Sequence, residues 1–336
     1  MRPPPRLGAR AASPVRQRRQ AVPRFPHQPT RSPRLRQPRP RAAMVSHPPE
    51  PGASSPLIRA ASQSGIQKIR NPPGAPVSIL YAEKTSEELQ QFIDATGTVL
   101  IPVGILEEHG AHLPVNCDVV IAERVALAAA EKLKGRVEVL VLPSVWTGYT
   151  ALLLQEWAGT IRVPTRVFTD VVKHVCLSLI DMGLRRILCV NGHGQHPALL
   201  ETAAREIADE TEVYIASADV AKLAAASFQQ VRRSTPGGAI HGGEFETSLM
   251  LHLRPDLVDM AKATDVDMFR AGTELIPGDG FAGGKGYFVS TWGMQESKTG
   301  LYGDPTVASA ETGEAVFGAA VGRCCQVVLE LQDLMR

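Results

Sequence analysis

Gly97-Thr98-Val99-Leu100-Ile101-Pro102-Val103-Gly104, followed by the polar stretch Glu107-Glu108-His109-Gly110-Ala111-His112 and a long segment from Asp118 to Lys134, decides the fold. The first piece is a continuous apolar run between two glycines, the pattern of a strand buried on both faces. In the last piece Val119, Val120, Ala122, Val125, Ala126 and Ala129 recur at helical spacing. The spacing predicts a helix over 118–134, with Asp118 as its N-cap. A buried strand, a polar loop and an amphipathic helix are the first part of a β-α-β unit.

Working outward, the same alternation continues. A helix is expected over 86–95, a strand over 137–142, and a helix over 165–182 closed by Gly183. A strand over 186–190 runs directly into Asn191-Gly192-His193. Next come a helix over 197–210, a strand over 212–216, and helices over 244–253 and 312–334. Strands alternating with helices indicate an α/β domain with a mainly parallel sheet. There is no internal repeat and no glycine-rich phosphate loop, and the glycines of 278–286 read as loop.

Composition bounds the function. The chain has 336 residues and is 44% hydrophobic, enough for one large α/β domain or two average ones. No apolar run approaches the roughly 20 residues needed to span a bilayer. The formal net charge of +2 hides an asymmetry. Residues 1–49 hold 12 Arg, no Lys and no acid, which leaves the rest with 24 basic and 34 acidic side chains, a net of −10. An acidic body gives no reason to expect nucleic acid as a partner. The Arg- and Pro-rich residues 1–45 read as a disordered, inert extension, with Met44 as an alternative start. A Pro-, Ser- and Gly-rich linker over 46–76 leads to a domain over 77–336. Five cysteines without a CxxC pair suggest neither a disulfide framework nor a thiolate zinc site, and they fit a reducing cytoplasm.

Chemistry concentrates in three segments: 107–112, Asn191-Gly192-His193-Gly194, and His241-Gly242-Gly243-Glu244-Phe245-Glu246. Open α/β sheets bind ligands beyond the carboxyl ends of their strands. Glu107 and His109 follow one expected strand and His193 another, Asp118 opens a helix, and Glu246 lies near the start of a later one. Two imidazoles and three carboxylates suit Zn²⁺ or Mn²⁺. Three carboxylates can also serve two divalent ions, one carboxylate bridging ions about 3.5–4 Å apart. Any one of these residues alone has a plain structural reading, Asp118 as an N-cap and each histidine as a backbone partner. Their joint occurrence at strand ends favours a metal centre. His174 and His252 fall inside helices and read as structural. No GxSxG motif is present, and Cys117 has no evident catalytic partner.

The run from Pro102 to Pro114 with Asp118 resembles the signature of the creatininase (creatinine amidohydrolase) family. The segments 191–194 and 241–248 resemble its second and third signatures, and Tyr302-Gly303-Asp304-Pro305-Thr306 with Thr312-Gly313 resembles its C-terminal segment. The resemblance covers about residues 77–333. It implies a three-layer αβα sandwich and two divalent ions per subunit, Zn or Mn. Glu107, His109, Asp118, His193 and Glu246 would be the ligands, with Asp118 bridging. His241 would be the proton shuttle to the leaving nitrogen. Glu244 is a second carboxylate close to Glu246, which leads as the last ligand on motif position. The implied enzyme is a metal-dependent hydrolase acting on a carbon–nitrogen bond other than a peptide bond, through a metal-bound hydroxide. A homohexamer acting on a small-molecule substrate is implied as well.

The chain also departs from the family pattern. Gly194-Gln195 stands where creatininases have Tyr-Glu, and Gly237 where they carry a Trp. Leu152 to Thr160, with Trp157, replaces a segment that holds a His and a Phe-Pro in many members. Gln195, Trp157 and Glu244 are therefore the expected substrate contacts, and creatinine itself is not the expected substrate. Two other readings stay open: a peptidase-like member acting on a short modified peptide, and a non-catalytic metal-binding scaffold.

Overall fold

Four parallel strands form the central sheet, in the order β2-β1-β3-β4. They are β1 (Thr98–Val103), β2 (Val139–Val141), β3 (Arg186–Asn191) and β4 (Ala216–Asp219). The computed structural model describes residues 78–264, 266–269, 278–281, 288–290, 295 and 297–334. The expected extension over 1–45 and linker over 46–76 lie outside them, as do most of the glycines of 278–286.

Side chains along β1 and β3 alternate between two cores, as a period of two requires. Leu100, Leu188 and Val190 face helices α2 (Cys117–Leu133), α5 (Val220–Val231), α6 (Glu244–Leu253) and α7 (Ala310–Leu334). Val99, Ile101, Ile187 and Cys189 face α1 (Ser86–Asp94), α3 (Thr165–Asp181) and α4 (Pro197–Thr211). The result is the expected three-layer αβα arrangement. Each fully buried Val, Leu or Ile contributes about 1.5–3 kcal/mol, so these two strands anchor both layers. Among the described helices, none is long and apolar enough to cross a membrane.

The strand order places a switch point between β1 and β3, which pair in register from Thr98↔Arg186 to Val103↔Asn191. The helix that follows β1 (α2) packs on one face, and the helix that follows β3 (α4) packs on the other. A crevice therefore opens beyond the carboxyl ends of these two strands, where α/β sheets bind ligands.

Element ends follow local chemistry. Thr85 and Glu88 form a capping box at the start of α1. Gly183 closes α3 at φ 106°, with the Gly183 N–H donating to Ile180 O and the Leu184 N–H to Leu179 O, a Schellman pattern. Two expectations need correction, and two elements were not anticipated. Asp118 is not an N-cap: the helix opens at Cys117, Asn116 takes the cap position, and the Asp118 side chain is used elsewhere. β4 lies at Ala216–Asp219, not over 212–216. Glu212 turns left-handed at φ 59° to end α4, so the strand cannot start there. Helix α5 was not anticipated. It is capped by Asp219 through the Lys222 N–H and buries Val220, Ala224 and Phe228 at i, i+4 and i+8. A small antiparallel pair, β5 (Ala239–His241) with β6 (Tyr302–Gly303), also escaped the alternation pattern.

Candidate metal centre

The crevice is lined by residues from four places on the chain. The loop after β1 supplies Glu107, Glu108 and His109. Helix α2 supplies Asp118, the loop after β3 supplies His193, and β5 with the start of α6 supplies His241 and Glu246. Two glycines make this convergence possible. A Cβ on Gly104 would lie 2.6 Å from the Val119 N, and one on Gly192 would strike the Asp118 carbonyl. Bare backbone at the ends of β1 and β3 thus lets the start of α2 slide between them and deliver Asp118 into the crevice. The positive ends of α2 and α6 also favour the acids in their first turns, Asp118 and Glu246.

Asp118 is wholly buried and faces two imidazoles. Its Oδ1 lies 3.2 Å from His109 Nε2, and its Oδ2 lies 2.9 Å from His193 Nδ1. Around Oδ1, Glu246 Oε2 stands 3.9 Å from His109 Nε2 and accepts the Gly242 N–H at 2.6 Å. Around Oδ2, Glu107 Oε2 stands 3.3 Å from His193 Nδ1. One carboxylate therefore joins two half-sites, as a bridging ligand would. Ring orientation is set from outside. His109 Nδ1 donates to the Glu107 carbonyl at 3.0 Å, which turns Nε2 toward the crevice. Glu107 Oε1 accepts the Thr150 hydroxyl proton, which leaves Oε2 to face the centre.

The electrostatics describe a site built for positive charge. Burial alone would push His109 down, but Asp118, Glu246 and Glu107 together hold it well above its ordinary value. His193 is likewise driven down by burial, yet Glu107 and Asp118 raise it to about 9. Asp118 is pushed up by burial and pulled below the usual carboxylate range by the two imidazoles. Burial raises Glu246. Here protons on imidazole offset the carboxylates, the role a metal cation takes when it binds. Three buried carboxylate oxygens of the cluster, Glu107 Oε2, Glu108 Oε1 and Asp118 Oδ2, lack a well-directed hydrogen bond, although Glu107 Oε2 and Asp118 Oδ2 stand 3.3 and 2.9 Å from His193 Nδ1. Orphaned buried carboxylate oxygens are costly. Oxygen and nitrogen donors of this kind suit Zn²⁺ or Mn²⁺. The ligand atoms of Glu107, Asp118 and His193 lie within 4.8 Å of one another, as do those of His109, Cys117 and Asp118. The residues present fit a pair of divalent ions.

His241 lies beside this centre. Its ring is 4.3 Å from that of His109, and its Nδ1 is 3.9 Å from Glu107 Oε2. Its Nε2 donates to the Glu108 carbonyl at 2.7 Å, with Glu108 Oε1 at 3.4 Å. Burial and His109 push His241 down; Glu107 and Glu108 outweigh them and raise it.

The remaining expected contacts divide. Gln195 reaches the centre at one remove, its amide donating to Thr150 Oγ1 at 3.2 Å. Trp157 ends the short helical turn Leu152–Glu156 and is half-buried. Glu244 is not brought into the cluster: its carboxylate accepts the Arg233 and Ser234 N–H groups at 2.8 and 2.7 Å and fastens the loop after α5. His112 and His196 are buried but structural. His112 pairs with Thr247 at 2.8 Å and is lowered to about 4 by burial; His196 takes the Tyr149 N–H and stacks on Phe168. Gly237 sits at φ 95°, and a Cβ there would lie 2.7 Å from Phe269 O, so the position is closed to a large side chain. Sequence reasoning missed Glu108 and Thr150. Glu108 was visible beside two ligands. Thr150 has no motif around it, because only the loop between β2 and α3 brings it to Glu107.

The family profile described as creatininase (creatinine amidohydrolase) matches residues 82–328. The chain belongs to the creatininase family. Creatinine amidohydrolase of Pseudomonas putida is 33% identical over 203 residues, covering 56% of this chain and 76% of that protein. The mycofactocin precursor peptide peptidase of Mycobacterium tuberculosis (strain CDC 1551 / Oshkosh) is 29% identical over 267 residues, covering 74% of this chain and 91% of that protein. A solved creatininase variant of Zn-Zn type superposes with a TM-score of 0.64 at 25% identity, covering 75% of this chain and 98% of that one. A creatininase described with Mn gives 0.63 at the same identity and coverage. This creatininase-family chain is thus a metal-dependent hydrolase by membership, with a cluster of buried His, Glu and Asp that could hold the ions.

Proposed function

We propose that this chain is a two-metal amidohydrolase that cleaves a carbon–nitrogen bond of a small amide, cyclic amide or formamide, and that creatinine is not its substrate. The observation that carries this reading is the pair of buried carboxylate oxygens, Glu107 Oε2 and Asp118 Oδ2, that converge on His193 Nδ1 without a well-directed hydrogen bond. Glu107, Asp118 and His193 would hold one ion; His109, Asp118 and Glu246 would hold the other. Bound divalent ions would lower the pKa of water and polarise a carbonyl.

The chain's own residues supply the rest. His241 is anchored through Nε2 on Glu108, so Nδ1 is the nitrogen that faces the centre. Its raised pKa lets it hold a proton there and pass it to the departing nitrogen. Burial of Glu107, Asp118 and His241 excludes bulk water from the reacting atoms. Gln195, through Thr150, keeps Glu107 Oε1 engaged. Trp157 is assigned to the rim where the substrate enters. At Gly237 the left-handed backbone and the nearby Phe269 carbonyl leave no room for the Trp seen in creatininases, which supports a different substrate.

A second reading is peptidase activity on a short modified peptide. The broader match to the mycofactocin precursor peptide peptidase favours it. The two are separated by assaying the Zn²⁺- or Mn²⁺-loaded chain on small and cyclic amides, formamides and short end-modified peptides. We expect turnover on the first three. Peptide cleavage without amide hydrolysis would transfer the assignment to the peptidase. Stoichiometric metal with no hydrolysis of any of them would leave a non-catalytic metal-binding scaffold. Assembly into a homohexamer belongs to the same proposal, with light scattering as its check.

A further inference from the structure

Cys117 adds a sulfur to this centre. It opens α2 one residue before Asp118 and is 0% exposed. Its Sγ, a His109 ring nitrogen and an Asp118 carboxylate oxygen all lie within 4.8 Å of one another.

We propose that Cys117 Sγ is a metal ligand, joining His109 Nε2 and Asp118 in one half of the pair and making that half select Zn²⁺ over Mn²⁺. The proposal rests on the two-metal reading above and deepens it. Thiolate is a soft donor that suits Zn²⁺, whereas Mn²⁺ favours carboxylate, carbonyl and water oxygen. With Glu246, already assigned to this half, cysteine, histidine and aspartate would give one ion four ligands, the number that tetrahedral zinc takes. The other half, Glu107, Asp118 and His193, offers only oxygen and nitrogen and carries no such preference. The two positions are therefore unequal: one selective for zinc, the other permissive. On binding, a metal–sulfur bond forms, the thiol proton passes to water, and no oxidation state changes.

The test uses the full-length chain, stripped of metal and reloaded with Co²⁺, Zn²⁺ or Mn²⁺. With Co²⁺ we expect a near-ultraviolet sulfur-to-cobalt charge-transfer band, absent from Cys117→Ala at equal cobalt content. With Zn²⁺ we expect X-ray absorption to show a sulfur neighbour at about 2.3 Å. The zinc-over-manganese preference should fall at least about tenfold in Cys117→Ala. Among the described residues no other cysteine belongs to a candidate ligand group, so a sulfur neighbour is assigned to Cys117. If the variant does not fold, the X-ray absorption of the unaltered chain decides alone. Bound metal with only nitrogen and oxygen neighbours overturns the role of Cys117 and leaves the two-metal reading standing. Failure to bind any of the three ions overturns both.

Discussion

Strands β1 and β3 and the loops that leave them are buried alike, but they are made of opposite chemistry. Along the strands lie Val99, Leu100, Ile101, Ile187, Leu188 and Val190, none more than 1% exposed. A few residues beyond stand Glu107, His109, Asp118 and His193, at most 4% exposed. Burying the first set stabilises the fold by about 1.5–3 kcal/mol per side chain. Burying the second is costly unless every charge is offset. In the ion-free protein, protons on the histidines do part of that work and three carboxylate oxygens lack a well-directed hydrogen bond. The comparison teaches that equal burial can mean opposite things. The strands hold the molecule together, and the cluster is a strained place that cations would relieve.

The widest separation between the two regions should come from Asp118→Ala. It should remove both ions, read by mass spectrometry of the metals, and take hydrolysis below detection while the fold persists. A metal-loaded, active variant would break the assignment. Next, His241→Ala should keep both ions and lower turnover by about 10²–10⁴-fold; unchanged turnover would deny it the proton-transfer role. The opposite pattern is expected from the strand. Leu188→Ala should cost about 2–5 kcal/mol in denaturant unfolding with metal content per folded molecule unaltered. Glu108→Gln, which removes the carboxylate charge beside His241 but keeps the backbone carbonyl that anchors its Nε2, should lower turnover by about 10-fold or somewhat more and leave metal content alone.

The smallest effect is the most diagnostic in sign. His193 is raised from 6.5 to about 9 in the folded, ion-free state. Its contribution to stability is therefore fully present below the unfolded value near 6.5 and is lost as pH rises through about 9. Thermal unfolding of the ion-free protein should show stability falling over that window. Metal binding requires the same imidazole without its proton, so metal affinity should rise with pH over the same range. Ion-free stability that climbs from pH 6.5 to 9 would contradict the arrangement of Glu107 and Asp118 around His193.

The sequence by itself determined the layer architecture and the ligand candidates. Val99 to Val103 and Ile187 to Val190 are unbroken apolar runs, and local pattern suffices to show a strand buried on both faces. Glu107, His109, Asp118, His193 and Glu246 were legible because the chemistry-bearing residues stand directly after such strands or at the start of helices. The family resemblance then supplied their roles. Elements whose signal was not local were lost or misplaced. Glu212 ends α4 in a left-handed turn that its residue type does not announce, and the β5–β6 pair joins segments some 60 residues apart in the chain. Only the tertiary structure decided that Asp118 bridges two imidazoles when it could have capped a helix, because Gly104 and Gly192 admit α2 between two strand ends. It alone turned Glu244 toward the backbone of Arg233 and Ser234, brought Glu108 to His241 and Thr150 to Glu107, and set the sulfur of Cys117 beside His109. Each of these depends on distances between segments far apart in sequence, and no local propensity encodes them.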